Sequence, residues 1–150
     1  MRMRVPARGF SLLEMLLVLA LVAGASLLAM AAFGGGMRGA QLHSGAKELA
    51  AQLRFARAVA ISSGQPQDVT IDPQARRWTG AKGRSGDLPA GATVVFTGAR
   101  EVQPTAGQGA VRFFPDGAAT GGRVRLTMDG AGWDVDVGWL TGEVRLRRVR

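Results

Sequence analysis

The chain has 150 residues, 47% of them hydrophobic and 20% charged, which allows one domain with an appendage. Nineteen Lys and Arg oppose eleven Asp and Glu for a formal net charge of +8, and seventeen of the nineteen bases are Arg. With no Cys and a lone His43, the composition excludes a disulfide framework, Cys-ligated zinc, a thiol nucleophile and a multi-histidine metal centre. The absence of Cys does not fix the compartment, because a periplasmic protein need not carry disulfides.

The apolar content is concentrated at the start. Residues 1–9 carry Arg2, Arg4 and Arg8, and Phe10 to Phe33 then runs for 24 residues with Glu14 as its only charge. At about 1.5 Å per residue such a helix is roughly 36 Å long, enough to cross a hydrocarbon core of about 30 Å with some tilt. Positive charge beside a spanning helix stays cytoplasmic, so the remainder is expected across the inner membrane. Loss of the three leader arginines lowers the net charge from +8 to +5. Glu14 sets this segment apart from an ordinary anchor or cleaved signal. A carboxylate in a spanning helix costs up to roughly 2.5–3.5 kcal/mol near the bilayer centre, less near an end, and calls for a partner.

Gly9-Phe10-Ser11-Leu12-Leu13-Glu14, between the basic leader and the apolar run, resembles the class III signal of type IV pilins and pseudopilins. The resemblance implies that a prepilin peptidase cleaves after Gly9 on the cytoplasmic side and methylates the new amine on Phe10. It also implies that Glu14 pairs with the N-terminal amine of a neighbouring subunit. That pairing agrees with the need of a buried carboxylate for a cation.

Gly34-Gly35-Gly36 follows. Each Gly costs about 1 kcal/mol relative to Ala in a helix, so residues 34–40 read as a hinge or break at the membrane surface. A segment that melts on filament assembly is the alternative. From Gln41 to Ser62 the pattern is helical: Leu42, Ala46, Leu49, Leu53, Ala56 and Ala60 share one face, widened by Phe55, Val59 and Ile61. Lys47, Glu48, Arg54 and Arg57 lie mostly off it, and Ser62-Ser63-Gly64-Gln65-Pro66 ends the helix. The stripe predicts a core face packed on a sheet.

Short strands then alternate with turns. Val69–Ile71 is strand-like, Asp72-Pro73 turns, and Arg76–Trp78 pairs back. Residues 79–91 read as loop. Thr93–Thr97, Ala110–Phe114, Arg123–Met128, Trp133–Val137 and Glu143–Val149 read as strands, with turns at Pro115-Asp116-Gly117, Asp129-Gly130 and Thr141-Gly142. The expected fold class is α+β: a long N-terminal helix, transmembrane then amphipathic, packed on a small antiparallel sheet or sandwich. The organisation is a leader over 1–9, a transmembrane helix over 10–33, a hinge over 34–40 and a periplasmic domain over 41–150.

No catalytic constellation stands out. His43 lacks a matched acid and nucleophile and reads as a solvated helix residue. Asp134 and Asp136 share a strand face, near Asp129; a calcium site is conceivable in chemistry, but no EF-hand pattern supports it and a solvated face is the simpler reading. Trp78, Trp133 and Trp139 read as core or sheet-face residues. The terminal Arg145, Arg147, Arg148 and Arg150 have two readings. They contact nucleic acid or an acidic partner, or they are a charged edge strand that blocks aggregation, the favoured reading.

Leu53-Arg54-Phe55-Ala56-Arg57-Ala58-Val59-Ala60-Ile61 with Ser63-Gly64-Gln65-Pro66, then Phe113-Phe114-Pro115-Asp116-Gly117, Gly121-Gly122 and Thr141-Gly142-Glu143-Val144, is similar to the H-type minor pseudopilins, the general secretion pathway protein H family. That resemblance implies a cofactor-free, non-catalytic subunit near the tip of a periplasmic pseudopilus, joining shaft to tip subunits. Its expected partners are other pseudopilins, the prepilin peptidase and the inner membrane. A type IV pilus minor pilin, binding DNA for uptake through its basic C-terminus, is the alternative.

Overall fold

The computed structural model describes residues 11–98 and 107–149, with the backbone alone over 31–35. The chain divides into two compact units between Gly36 and Met37. Helix α1 is assigned over Leu12–Ser63. Its N-terminus is capped by the Ser11 hydroxyl, which accepts a 3.1 Å hydrogen bond from the Glu14 amide. Leu12–Met30 has a mean hydropathy of 2.4 and no part of it is buried by protein, so it is long and apolar enough to cross a membrane. The helical assignment continues through Gly34, Gly35 and Gly36, where the sequence predicts a break. Three glycines weaken a helix without forbidding it once turns on either side have formed.

The second unit is an α+β sandwich around the C-terminal half of α1. Among the described residues, eight strands form two antiparallel four-stranded sheets. The first holds β1 (Gln67–Asp72), β2 (Arg77–Thr79), β3 (Ser85–Asp87) and β5 (Gly109–Phe113) in the order β3-β2-β1-β5. The second holds β4 (Thr93–Gly98), β6 (Gly122–Met128), β7 (Ala131–Val137) and β8 (Val144–Val149) in the order β4-β6-β7-β8. Residues 79–91, expected as loop, supply β3, which pairs Arg77 with Asp87 and Trp78 with Gly86. Three residues are too few to display a periodicity, which is why the strand is silent in the sequence.

The helical stripe is the centre of the core: Leu42, Ala46, Leu49, Leu53, Ala56 and Ala60 are all at 0% exposure. Against it lie Val69 and Ile71 of β1, Val111 and Phe113 of β5, and Val124, Leu126 and Val135 of β6 and β7. Ile61, expected to widen the stripe, is exposed, although its neighbours Val59 and Ala60 are buried. The two sheets meet where β4 and β5 lie side by side. There the Phe96 ring lies over glycine backbone: a Cβ on Gly109 would stand 2.1 Å from its Cγ, and one on Gly98 2.5 Å from its Cζ. Glycine is what allows an aromatic ring to cover the seam.

Candidate interaction surface

The N-terminal sites are only partly described. Gly9 and Phe10 lie outside the described residues. Glu14 stands in the first turn of α1, exposed, with its carboxylate where a helix N-terminus favours negative charge. Serine at the cap and glutamate three residues on also match a capping box, a local role beside any intersubunit one.

In the globular unit, the outer face of the second sheet is an ionic lattice. Strand alternation puts Val124 and Leu126 on the core side of β6 and Arg123 and Arg125 on the outer side. Register sets Arg123 opposite Asp136 and Arg125 opposite Asp134, and on the other flank of β7 Asp136 opposite Arg145 and Asp134 opposite Arg147. Arg125 grips Asp134 with two 2.7 Å hydrogen bonds. Asp136 accepts hydrogen bonds from both Arg123 and Arg147. The expectation of a solvated aspartate face is corrected here: Asp134 is 2% exposed, covered by the arginines on its flanks. The hydrogen bonds and charge of Arg125 hold the Asp134 carboxyl below the usual range against its burial. Burial pushes the Asp136 carboxyl up, and the hydrogen bonds of Arg123 and Arg147 more than offset it. Asp129 is drawn away to Arg38 at 3.0 Å. Among the described residues no group of three or more His, Asp or Glu could hold a metal ion.

The C-terminal arginines are therefore not one patch. β8 is the edge of its sheet, as an edge-strand reading expects. Arg145 forms a paired contact with Glu143, Arg147 bonds Asp136, and Arg148 lies on the opposite strand face, in register with Trp133. Arg150 lies outside the described residues. His43 is exposed, as expected, but its ring stacks on Trp133, centroids 4.2 Å apart with 14° between planes.

Trp78, buried at 2% exposure, and Trp133, half-buried on its strand, fit the expectation of core or sheet-face residues; Trp139 does not, being 69% exposed beside Leu140 at 68%. Both sit in the turn between β7 and β8, outside either strand's alternation. This turn is built rigidly. The Gly138 amide donates to the Glu143 carbonyl, the Gly142 amide to the Gly138 carbonyl, and the Ala119 amide to the Trp139 carbonyl. Gly142 has φ +60°, and a Cβ there would stand 2.2 Å from the Gly117 carbonyl oxygen. Beneath it Arg57 donates its Nε–H to that carbonyl at 3.0 Å, while Arg54 donates to the Val144 carbonyl at 3.0 Å. Arginines that the helical wheel places off the core stripe thus tie the helix to the turns. Next to the turn lies a hollow of about 400 Å³ between Trp139, Leu140, Glu143, Arg145 and Arg147.

Comparison with known proteins adds the family. Residues 45–141 match the family described as type II transport protein GspH. The chain is 58% identical over 143 residues to type II secretion system protein H of Xanthomonas campestris pv. campestris, covering 95% of this chain and 85% of that one. Among solved structures, the minor pseudopilin EpsH of the Vibrio cholerae type 2 secretion system aligns with a TM-score of 0.58 at 21% identity, over 72% of this chain and 97% of that one. The type IV minor pilin FimU of Pseudomonas aeruginosa aligns with a TM-score of 0.54 at 19% identity, over 71% and 87%. The last two likenesses concern the fold, which is pilin-like. Matched over most of its length by a type II secretion H protein, and over its globular part by the family itself, this chain belongs to the GspH family of type II transport proteins.

Proposed function

We propose that the chain is an H-type minor pseudopilin that joins shaft to tip subunits of the type II secretion pseudopilus and supports export of folded proteins across the outer membrane. The observation that carries this reading is the 58% identity to a type II secretion H protein across 95% of the chain, which favours secretion over DNA uptake. The surface supports the same choice: the C-terminal arginines are engaged with carboxylates on one face and divided between two faces, unlike a continuous phosphate track. The subunit acts structurally and catalyses no reaction.

In this reading the leader, residues 1–9, is removed by the prepilin peptidase after Gly9, and Phe10 becomes the methylated N-terminus. Residues 10–33 anchor the subunit in the inner membrane, with the globular domain periplasmic. Glu14 then meets the terminal amine of a neighbour as the filament assembles, and residues 34–40 are the hinge at the membrane surface, where three glycines weaken the helix. Its partners are the other pseudopilins. Two variants test this in cells that make the full chain. Gly9→Val accumulates as uncut precursor on an immunoblot. Glu14→Ala is cut normally but enters the filament poorly. Efficient cleavage of the first, or normal incorporation of the second, contradicts the assignments.

A further inference from the structure

An exposed Trp-Leu pair is a costly thing to hold rigid in water. The turn over 138–143 holds it rigid all the same, with three backbone hydrogen bonds, a positive-φ glycine and the Arg57 clamp below. Gly121, at φ +75°, completes the arrangement: a Cβ there would stand 3.0 Å from the Trp139 Cβ, a close approach that glycine accommodates without displacement. A rigid tryptophan at the tip of a turn loses little entropy when it is covered, which is the property of an interface anchor.

The surroundings specify what covers it. Arg145 and Arg147 stand beside the hollow with side chains 66% and 59% exposed. Arg145 uses Nε and Nη2 on Glu143, and Arg147 uses the same two atoms on Asp136, which also accepts from Arg123; these bonds fix the guanidinium planes and do not occupy either Nη1. A continuous phosphate backbone or anionic membrane is poorly matched, because its closely spaced charges would also lie over Glu143 and Asp136, whereas single carboxylates can meet each guanidinium apart from them. A symmetric pairing with a second copy of the chain is poorly matched too, since it would set arginine against arginine.

We propose that the β7–β8 turn is a docking knob for a protein partner, a different subunit of the same filament, that presents an apolar recess for Trp139 and Leu140 rimmed by carboxylates for Arg145 and Arg147. The partner's identity as a filament subunit rests on the pseudopilin reading; the knob's chemistry does not.

The test places a photoreactive residue at Leu140 in the full-length chain, in cells of its own secretion system. The expected product is an adduct with one other pseudopilin, mapped to a peptide containing Asp or Glu. Trp139→Ala lowers its yield at least about tenfold, and so does Arg145→Glu with Arg147→Glu. Trp139→Ala leaves protein abundance unchanged, since the side chain is exposed. An adduct only with lipid, nucleic acid or a second copy overturns the proposal, as does a yield that either variant leaves unchanged. Deleting the gene separates the two layers. Lost secretion with a yield indifferent to Trp139→Ala removes the knob alone, whereas unaltered secretion removes the pseudopilin reading.

Discussion

Asp134 shows how much one residue can depend on its neighbours. It is a carboxylate on the outer face of a sheet, yet arginines from β6 and β8 flank it and leave its side chain 3% exposed. Because its folded pKa is depressed, its contribution is present above the unfolded value and is lost as pH falls through the folded one. Stability to denaturant should therefore drop as pH is lowered from about 5 toward 3, and the drop should be shallower in Asp134→Asn. At neutral pH the same variant should lose about 1–3 kcal/mol, read from the denaturation midpoint. Gly142 is constrained by backbone rather than charge. Gly142→Ala sets a Cβ at φ +60° and 2.2 Å from a carbonyl oxygen, so a loss of about 2 kcal/mol or more in thermal unfolding is expected, against a smaller loss of about 1 kcal/mol for Gly130→Ala, where φ is +77° but a Cβ meets no neighbour.

Among the elements, the C-terminal half of α1 carries the most core. Leu53 is fully buried between the sheets, and Leu53→Ala should cost about 2–5 kcal/mol in chemical denaturation, far more than Ala51→Ser on the exposed face. The stripe was legible in the sequence because a helix repeats its buried face every three or four residues over many turns. The longer strands were legible for the same reason, since Val124 and Leu126 alternate with Arg123 and Arg125. What was illegible was short or relational. β3 has three residues and no period. The partners of Asp134 come from register between strands, which alternation within one strand does not give. Arg54 and Arg57 look like solvent residues on a helical wheel, and become anchors only when the turns at Gly117 and Gly142 fold against them. Trp139 is the instructive failure: hydrophobicity alone assigns it to the core, but its place between Gly138 and Thr141-Gly142, after β7 has ended, was the signal that it belongs to a turn.

At the scale of the whole molecule, two different solvents are written into one chain. Leu12–Met30 buries nothing against protein, while the second unit buries its own core and carries its ionic lattice outward. A membrane-competent helix joined to a sandwich with its own core is consistent with the filament subunit proposed above. The central claim is that the chain works in secretion. The most direct measurement is the level of exoproteins in the culture medium after deletion of the gene, with the wild-type gene restored as control. The account predicts that exoproteins disappear from the medium, collect in the periplasm and return on complementation. Normal export from the deletion strain would contradict it.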